Sequence, residues 1–187
     1  MNSRDLFVLV IGATGSIGRL VVDEALLRGH KVRAMLRDTA KAGQFASEAD
    51  AVYGDITKPE TLRSALEGVN AVVLTVNADG MGKAAAEAVY YGGVRNLLTA
   101  IGTRELRIGL MTTIGVTERE GHYNRTNEGH DWKRRGERLV REAVSPTRSS
   151  DPAGSTIILQ PSAKSSCCKA IRVALARPPT APSLALI

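Results

Sequence analysis

Long hydrophobic runs are absent from this 187-residue sequence, and none approaches the roughly 18 residues that a membrane-spanning helix needs. The first residues, Met1 to Asp5, do not resemble a signal peptide, because they lead directly into a short strand-like run. We therefore expect a soluble, cytoplasmic protein without a membrane partner. The length suits one domain with a substantial core and is too short for two ordinary domains.

Cysteine and proline are scarce over most of the chain. The two cysteines, Cys167 and Cys168, are adjacent, and they define no disulfide framework because a bridge between neighbours is strained. Six of the seven prolines and eight of the twelve serines lie in residues 142–187. In that segment the periodicity also disappears, and its composition is typical of a disordered tail.

Positive charge exceeds negative charge, with a net charge of +6, but it forms one cluster only. The cluster comprises Lys133, Arg134, Arg135, Arg138 and Arg141. A basic stripe of this kind is compatible with nucleic-acid binding. Acidic residues are interspersed on the same helical segment, which favours a solvated helix face instead. We expect no nucleic-acid partner.

Apolar strand-like runs alternate with helical patterns over residues 1–141. The predicted strands cover residues 6–11, 31–36, 50–53, 70–75 and 107–112, and the predicted helices lie near 16–28, 39–46, 58–67, 81–102 and 126–143. Thr57 before Pro59 is a favourable helix start. The alternation predicts an α/β fold, a Rossmann-like doubly wound parallel sheet of about five strands with an irregular C-terminal tail. The predicted division is a nucleotide-binding domain, 1–141, and a tail, 142–187.

A glycine-rich turn joins the first predicted strand to the first predicted helix. Gly12 allows a tight turn, Gly15 allows backbone to approach a pyrophosphate, and Gly18 allows the helix to pack closely on the strand. Backbone N–H groups at the helix start, near Ser16 and Ile17, would face the anion. The spacing is G-x-x-G-x-x-G, so the alternative is a glycine turn without a ligand; the strand–turn–helix context favours a dinucleotide.

Arg37 directly follows the second predicted strand. An acidic residue there would bind the ribose 2′-hydroxyl of NAD, whereas an arginine accommodates the 2′-phosphate of NADP. Lys41 adds positive charge one helical turn further on, and Asp38 argues in the opposite direction. The sequence predicts NADP (NADPH) as cofactor, with NAD as the alternative cofactor. If no cofactor binds, Arg37 is a surface arginine without a ligand.

Several motifs of residues 1–141 occur together in one protein family. They are Val10-Ile11-Gly12-Ala13-Thr14-Gly15, Gly54-Asp55, Tyr91-Gly92-Gly93-Val94-Arg95-Asn96-Leu97, Met111-Thr112-Thr113-Ile114-Gly115-Val116, and Trp132-Lys133 with Glu137-Arg138-Leu139. With these motifs the segment resembles an atypical short-chain dehydrogenase/reductase of the NAD(P)H-binding, NmrA-like group. The resemblance implies an adenine contact from Asp55 and Ile56, although Asp55 is equally compatible with opening the turn at Thr57.

Further cofactor contacts are expected at the ends of the later strands. Thr75, Val76 and Asn77 end the fourth strand, where they should line the pyrophosphate or ribose. The full predicted cofactor-binding set is Gly12, Thr14, Gly15, Ser16, Ile17, Gly18, Arg37, Asp55, Ile56, Thr75, Asn77 and Thr112.

Catalytic residues are implied by the resemblance alone. The family's Tyr-x-x-x-Lys motif moves the substrate proton on tyrosine, and its lysine holds the ribose and lowers the tyrosine pKa. Lys133 matches the lysine and Thr113 the family's hydroxyl residue, but the tyrosine position falls on Gly129. Tyr123 is too far along the chain to share a helical face with Lys133 at the i, i+4 spacing.

The histidines of this region do not form a metal-binding pattern. His122, His130 and Asp131 lack the spacing of metal ligands, so we interpret them as exposed polar loop residues and predict no metal site.

Three functions are compatible with these features. The first is an NADP-dependent oxidoreductase acting on a small carbonyl compound. The second is a non-catalytic NADP-binding or redox-sensing protein of NmrA-like type, and the third is a truncated, inactive product. Substrate and oligomeric state are not predicted.

The segment after Arg141 departs from the family. There the helix is followed by a stretch resembling Ser-Gly-Leu-Pro-Tyr-Thr-Ile-Val-Arg-Pro-Gly-Trp-Phe, which forms a sixth strand. Codons shifted by one frame from Glu142 onward can encode that stretch. We therefore interpret residues 142–187 as an out-of-frame reading of a family C-terminus, with a genuine but divergent tail as the alternative, and expect the sheet to end at the fifth strand.

Overall fold

The protein is described by a computed structural model that covers residues 5–45, 48–113, 115–143 and 156–159. Six parallel strands form one sheet in the order β3-β2-β1-β4-β5-β6. Their bounds are Phe7–Ile11 (β1), Lys31–Leu36 (β2), Ala49–Tyr53 (β3), Ala71–Leu74 (β4), Arg107–Met111 (β5) and Thr156–Leu159 (β6). The predicted Rossmann-like sheet is confirmed, and the first five strands lie where the alternation placed them.

The sixth strand corrects the expectation that the sheet ends at β5. Strand β6 pairs with β5 in parallel register, with Thr156 opposite Ile108 and Leu159 opposite Met111. Its sequence, Thr-Ile-Ile-Leu, is a short β-branched and apolar run, which suits a strand. The surrounding prolines and serines make that pattern hard to recognise in the sequence. The out-of-frame interpretation of residues 142–187 stays a prediction.

The rest of the tail, residues 144–155 and 160–187, lies outside the described residues, and with it Cys167 and Cys168.

Helices cover both faces of the sheet. They are α1 (Ser16–Leu27), α2 (Leu62–Ala65), α3 (Lys83–Ala86), α4 (Gly93–Ile101), α5 (His122–Asn127) and α6 (Gly129–Ala143). A π-helical segment, Glu87–Gly92, joins α3 to α4. The predicted helix near 39–46 is a 3-10 helix, Thr39–Gln44, and a second 3-10 helix, Pro59–Thr61, leads into α2.

Two helix predictions need correction. Thr57 does not cap a helix, because its hydroxyl donates to Asp55 Oδ1 (2.8 Å) and the 3-10 helix begins after Lys58. The predicted helix near 126–143 is broken at Glu128, which adopts a left-handed backbone with φ 57°. Asn and Gly commonly mark such a position but Glu does not, so the sequence carried no signal for the break. The break starts α6 afresh at Gly129.

The strand residues divide the core between the two faces of the sheet. Val8 and Val10 of β1 pack on one face, in a cluster that includes Val21 and Val22 of α1. Leu9 and Ile11 point to the other face, in a cluster that also contains residues of α2, α4 and α6. This alternation follows from the two-residue period of a strand, and helices on both sides make both faces apolar.

Helix α6 packs very closely on the segment that joins α3 to α4. A Cβ atom on Gly136 would overlap the Tyr90 carbonyl oxygen and lie 3.3 Å from Val94 Cγ2. Gly136 is therefore required by the approach of two backbones. The contact also fixes the depth at which Lys133, one turn earlier on α6, reaches towards the sheet.

This packing predicts that Gly136→Ala destabilises the fold by about 1–3 kcal/mol, the usual cost of overpacking, despite the better helix propensity of alanine. The free energy of unfolding in urea measures the change. Gly43→Ala is the matched control, since a Cβ there meets no atom within 4 Å. Equal stability of the Gly136 variant and the control would contradict the close approach.

Candidate functional site

The glycine turn has the shape that the sequence predicted. Gly12 takes a positive φ of 89°, and the Gly15 N–H donates to the Gly12 carbonyl over 3.0 Å. A Cβ on Gly12 would lie 2.9 Å from the Thr75 carbonyl, and one on Gly18 would overlap the Gly12 carbonyl oxygen. Both glycines are thus required by the close contact of β1, β4 and α1.

Gly15 has a different role, because a Cβ there would have only the Gly12 oxygen nearby, at 3.3 Å. Gly15 and Ser16 are exposed, while Thr14 and Ile17 are half-buried. Gly15 is also the N-cap of α1 and offers no side-chain cap for the first N–H groups of that helix. An open turn with uncapped helix N–H groups fits a pyrophosphate, so these residues suit a dinucleotide.

Thr75 supports this turn from the end of β4. Its hydroxyl is buried and lies 3.1 Å from the Ile11 carbonyl oxygen and 3.3 Å from that of Gly12. Its N–H also donates to the Ile11 carbonyl (2.9 Å). The side chain therefore holds the turn against β4, whereas its predicted contact with ribose or pyrophosphate stays a prediction.

The end of β2 carries the residues that would choose between NAD and NADP. Arg37 and Lys41 are exposed, and within the described part of the chain neither pairs with a carboxylate. Asp38 instead caps the 3-10 helix, where its Oδ1 accepts from the Ala40 N–H (3.0 Å). The one carboxylate beside Arg37 is thus bound to its own turn.

Asp55 and Ile56 follow β3 at the same edge. Asp55 Oδ1 accepts from the Thr57 N–H (2.9 Å) as well as from its hydroxyl, so Asp55 does organise its own turn. The Ile56 side chain is buried against Gly93, and its carbonyl accepts from Asn96 Nδ2 (3.0 Å). The adenine contact implied for these two residues stays a prediction.

Lys133 lies in a polar cluster that comprises Asn77, Asp79, Tyr90 and Lys133. Its Nζ is 4.6 Å from the centroid of the buried Tyr90 ring, a cation–π distance. The Tyr90 hydroxyl accepts from the Ala78 N–H (2.7 Å) and lies 2.7 Å from Asn77 Oδ1 and 3.0 Å from Asp79 Oδ1. This polar cluster therefore fixes the loop after β4 to α6.

Burial lowers the pKa of Lys133, and the Asp79 carboxylate opposes that shift by stabilising the charged amine. A lysine with a lowered pKa at the ligand edge of a Rossmann sheet is a functional candidate. Sequence reasoning identified Lys133 but missed Tyr90 and Asp79. The motif starting at Tyr91 marked the helix, yet the π-helical segment decides which of the two neighbouring tyrosines faces inward.

The other predicted catalytic positions differ in their surroundings. Thr112 is buried directly after β5, and Thr113 next to it is half-buried. Gly129 is buried at the start of α6, so no phenol occupies the family's tyrosine position. Tyr123 belongs to α5, and its side chain lies outside the described residues.

The residues interpreted as exposed loop positions are instead part of helices. His130 is buried, with Nδ1 3.1 Å from the Glu118 carbonyl oxygen. Asp131 accepts from Asn124 Nδ2 (3.1 Å), and this hydrogen bond, with Arg119 and Arg134 nearby, lowers the Asp131 pKa. In the described ranges no three His, Cys, Asp or Glu residues group as metal ligands would.

Two of the five residues of the basic cluster on α6 form ion pairs on the helix surface. Arg134 forms an ion pair with Asp131 (3.2 Å) and Arg141 with Glu137 (2.8 Å). Lys133 departs from the expected solvated helix face, since it turns inward to Tyr90. No helix in the described part of the chain is long and apolar enough to cross a membrane.

The sequence profile of a family described as NAD(P)H-binding matches residues 12–149. A curated relative, the photosystem II assembly factor Ycf39 of Synechocystis sp., is 40% identical over 96 residues, which cover 50% of this chain and 29% of that protein. The chain spans less than a third of the length of the curated relatives it matches.

Solved structures share the fold. A short-chain dehydrogenase/reductase superfamily protein from Agrobacterium tumefaciens with bound NAD has a TM-score of 0.64 and 25% identity, over 82% of this chain and 48% of that one. A short-chain dehydrogenase from Burkholderia cenocepacia in complex with NADP has a TM-score of 0.66 and 17% identity, over 86% and 72%.

The polar cluster predicts that Lys133 titrates below the ordinary value for lysine, and that Asp79→Asn lowers its pKa further by removing the opposing carboxylate. NMR of ¹³C-methylated lysines against pH measures both. Since its pKa is lower in the folded state than in the unfolded state, this group makes stability rise with pH between the folded and unfolded pKa values. An ordinary Lys133 pKa would contradict the described burial, and one unmoved by Asp79→Asn would contradict the effect of the Asp79 carboxylate.

Proposed function

Since the chain belongs to the NAD(P)H-binding family, we propose that it binds NADP(H) across the carboxyl ends of β1, β2 and β4. The observation that carries this proposal is the open glycine turn. A Cβ on Gly12 or Gly18 would come within 3.0 Å of backbone atoms, whereas one on Gly15 would meet only the Gly12 carbonyl oxygen, at 3.3 Å, and α1 keeps N–H groups without a side-chain cap. An exposed turn of this kind suits pyrophosphate binding.

The preference for NADP over NAD is supported by charge at the end of β2. Arg37 and Lys41 offer exposed cations without a described carboxylate partner, which suits a 2′-phosphate. An NAD-type site needs a carboxylate free to accept from the ribose hydroxyl. Asp38 is engaged with Ala40, so its contribution to an NAD site is weakened.

We further propose an oxidoreductase of the short-chain dehydrogenase/reductase type, with a small carbonyl compound as substrate. The nicotinamide supplies or accepts the hydride when the cofactor is bound. Lys133 would hold the nicotinamide ribose, and its ammonium would give the substrate oxygen the proton that carbonyl reduction requires, which its lowered pKa favours. The Thr113 hydroxyl would offer a further hydrogen bond to that oxygen.

A second candidate is a non-catalytic NADP-binding protein. Two observations favour it: Gly129 stands at the family's tyrosine position, and the hydroxyl of Tyr90, the tyrosine in contact with Lys133, is already bonded to the loop after β4. Curated relatives of this chain are named as photosystem II assembly factors, which is a name for an assembly role and not for a reaction. The absence of a nucleic-acid partner and the cytoplasmic location stay predictions.

Gly15→Val should abolish binding of NADPH and NADH while leaving the fold intact, because its side chain would enter the space assigned to pyrophosphate. Gly121→Val is the matched control, since Gly121 is also an extended helix N-cap, with φ −64° and ψ 150° against −72° and 163° at Gly15. Calorimetric titration gives the affinities and far-UV circular dichroism the fold. Unchanged affinity in the Gly15 variant would make the turn purely structural.

The wild-type chain should bind NADPH more tightly than NADH, and Arg37→Ala should selectively weaken NADPH by about 1.5–3 kcal/mol through loss of a charged hydrogen bond. Oxidation of NADPH over a panel of small carbonyl compounds then separates the two candidates. Turnover that falls in Lys133→Met supports the oxidoreductase, and tight binding without turnover supports the non-catalytic protein. Equal affinities for both dinucleotides would contradict the NADP assignment.

A further inference from the structure

The Arg19 side chain spans the two segments that flank the proposed adenosine ribose. Arg19 directly follows Gly18, and its Nε donates to the Thr14 carbonyl over 3.2 Å. Its Nη2 donates to Gln44 Oε1 over 2.7 Å, at the end of the 3-10 helix that follows β2. The guanidinium thus lies between the glycine turn and the segment that carries Arg37 and Lys41.

The charge of Arg19 is not neutralised by these contacts. Both acceptors are neutral oxygens, and within the described part of the chain no carboxylate forms an ion pair with Arg19. Arg28, the C-cap residue of the same helix, behaves differently, because its Nε pairs with Glu24 Oε1 at 2.9 Å. The Arg19 guanidinium is therefore fixed at the edge of the turn, and its positive charge has no described carboxylate partner. Neither of its two hydrogen bonds uses Nη1.

Two hydrogen bonds to neutral acceptors orient the guanidinium before any ligand arrives. Fixing a long side chain costs rotamer entropy, and here that cost is met in the free protein. A pre-oriented guanidinium offers parallel N–H donors, which suit the oxygens of a phosphate monoester. In the proposed site the backbone at Gly15 and Ser16 binds the pyrophosphate. The second anionic group of the ligand that suits an exposed cation at the β2 side of the turn is therefore the 2′-phosphate.

We propose that Arg19 is a specificity-determining residue that binds the 2′-phosphate of NADP(H) together with Arg37. This inference rests on the proposed function, since it concerns the same dinucleotide. It assigns the recognition of the 2′-phosphate to two elements, α1 and the end of β2, instead of to the single arginine that the sequence pattern singles out. Gln44 is then a positioning residue, because it contacts Arg19 alone among these groups.

Calorimetric titration of the full chain with NADPH and NADH tests the assignment, using Arg19→Gln, Arg19→Lys, Arg37→Gln and the control Arg28→Gln. Arg19→Gln should weaken NADPH roughly ten- to hundredfold, as expected for loss of a charged hydrogen bond, and leave NADH within about twofold. Arg19→Lys should recover part of the loss. Arg28→Gln should bind both dinucleotides like the wild type.

Competition by 2′,5′-ADP and 5′-AMP isolates the 2′-phosphate, because the two probes differ in that group alone. The wild type should favour 2′,5′-ADP, and Arg19→Gln should lose most of that preference. If Arg19→Gln weakened the affinities for NADPH and NADH equally, the assignment would be overturned, and Arg19 would have a structural role in stabilising the turn. Unchanged NADPH affinity in Arg19→Gln, with a loss in Arg37→Gln, would overturn it while leaving the proposed function intact. A wild type that binds neither dinucleotide would overturn both.

Discussion

The contact between the start of α1 and the carbonyl of Gly12 is the constraint on which the candidate site depends. Only a residue without Cβ at Gly18 allows α1 to come so close to the end of β1. That approach directs the helix axis, and with it the uncapped N–H groups after Gly15, at the space beyond the strand. Thr75 completes the arrangement from β4, so the turn lies where β1 separates two oppositely wound halves of the sheet.

The two ends of the site are built by different means. At the turn, backbone geometry shapes the proposed ligand-binding surface, and the Arg19 guanidinium beside it is held by two neutral acceptors, the Thr14 carbonyl and Gln44 Oε1. At the other end, side chains dominate: Lys133 reaches Tyr90 because Gly136 lets α6 approach the backbone of the neighbouring helical segment.

What the sequence could predict follows from which features are local. The five strands from Phe7 to Met111 and the glycine turn depend on short apolar runs and on glycine spacing, and both are visible in the chain. The left-handed Glu128 is not, because nothing in a glutamate signals a positive φ. The sixth strand was not predicted for a related reason: one threonine and three apolar residues among prolines and serines carry too little pattern, and β5 supplies the pairing that makes them a strand.

The central claim is that the turn from Gly12 to Gly18 holds the pyrophosphate of NADP(H). Backbone amide chemical shifts of the ¹⁵N-labelled chain, followed during addition of NADPH, test it most directly. The largest changes are expected at Gly15, Ser16 and Ile17, followed by changes around Arg37 and Asn77, with residues at the opposite end of the strands, such as Arg107, unaffected. Saturable binding that shifts amide signals elsewhere, while those of Gly15 and Ser16 do not move, would contradict pyrophosphate binding at the turn.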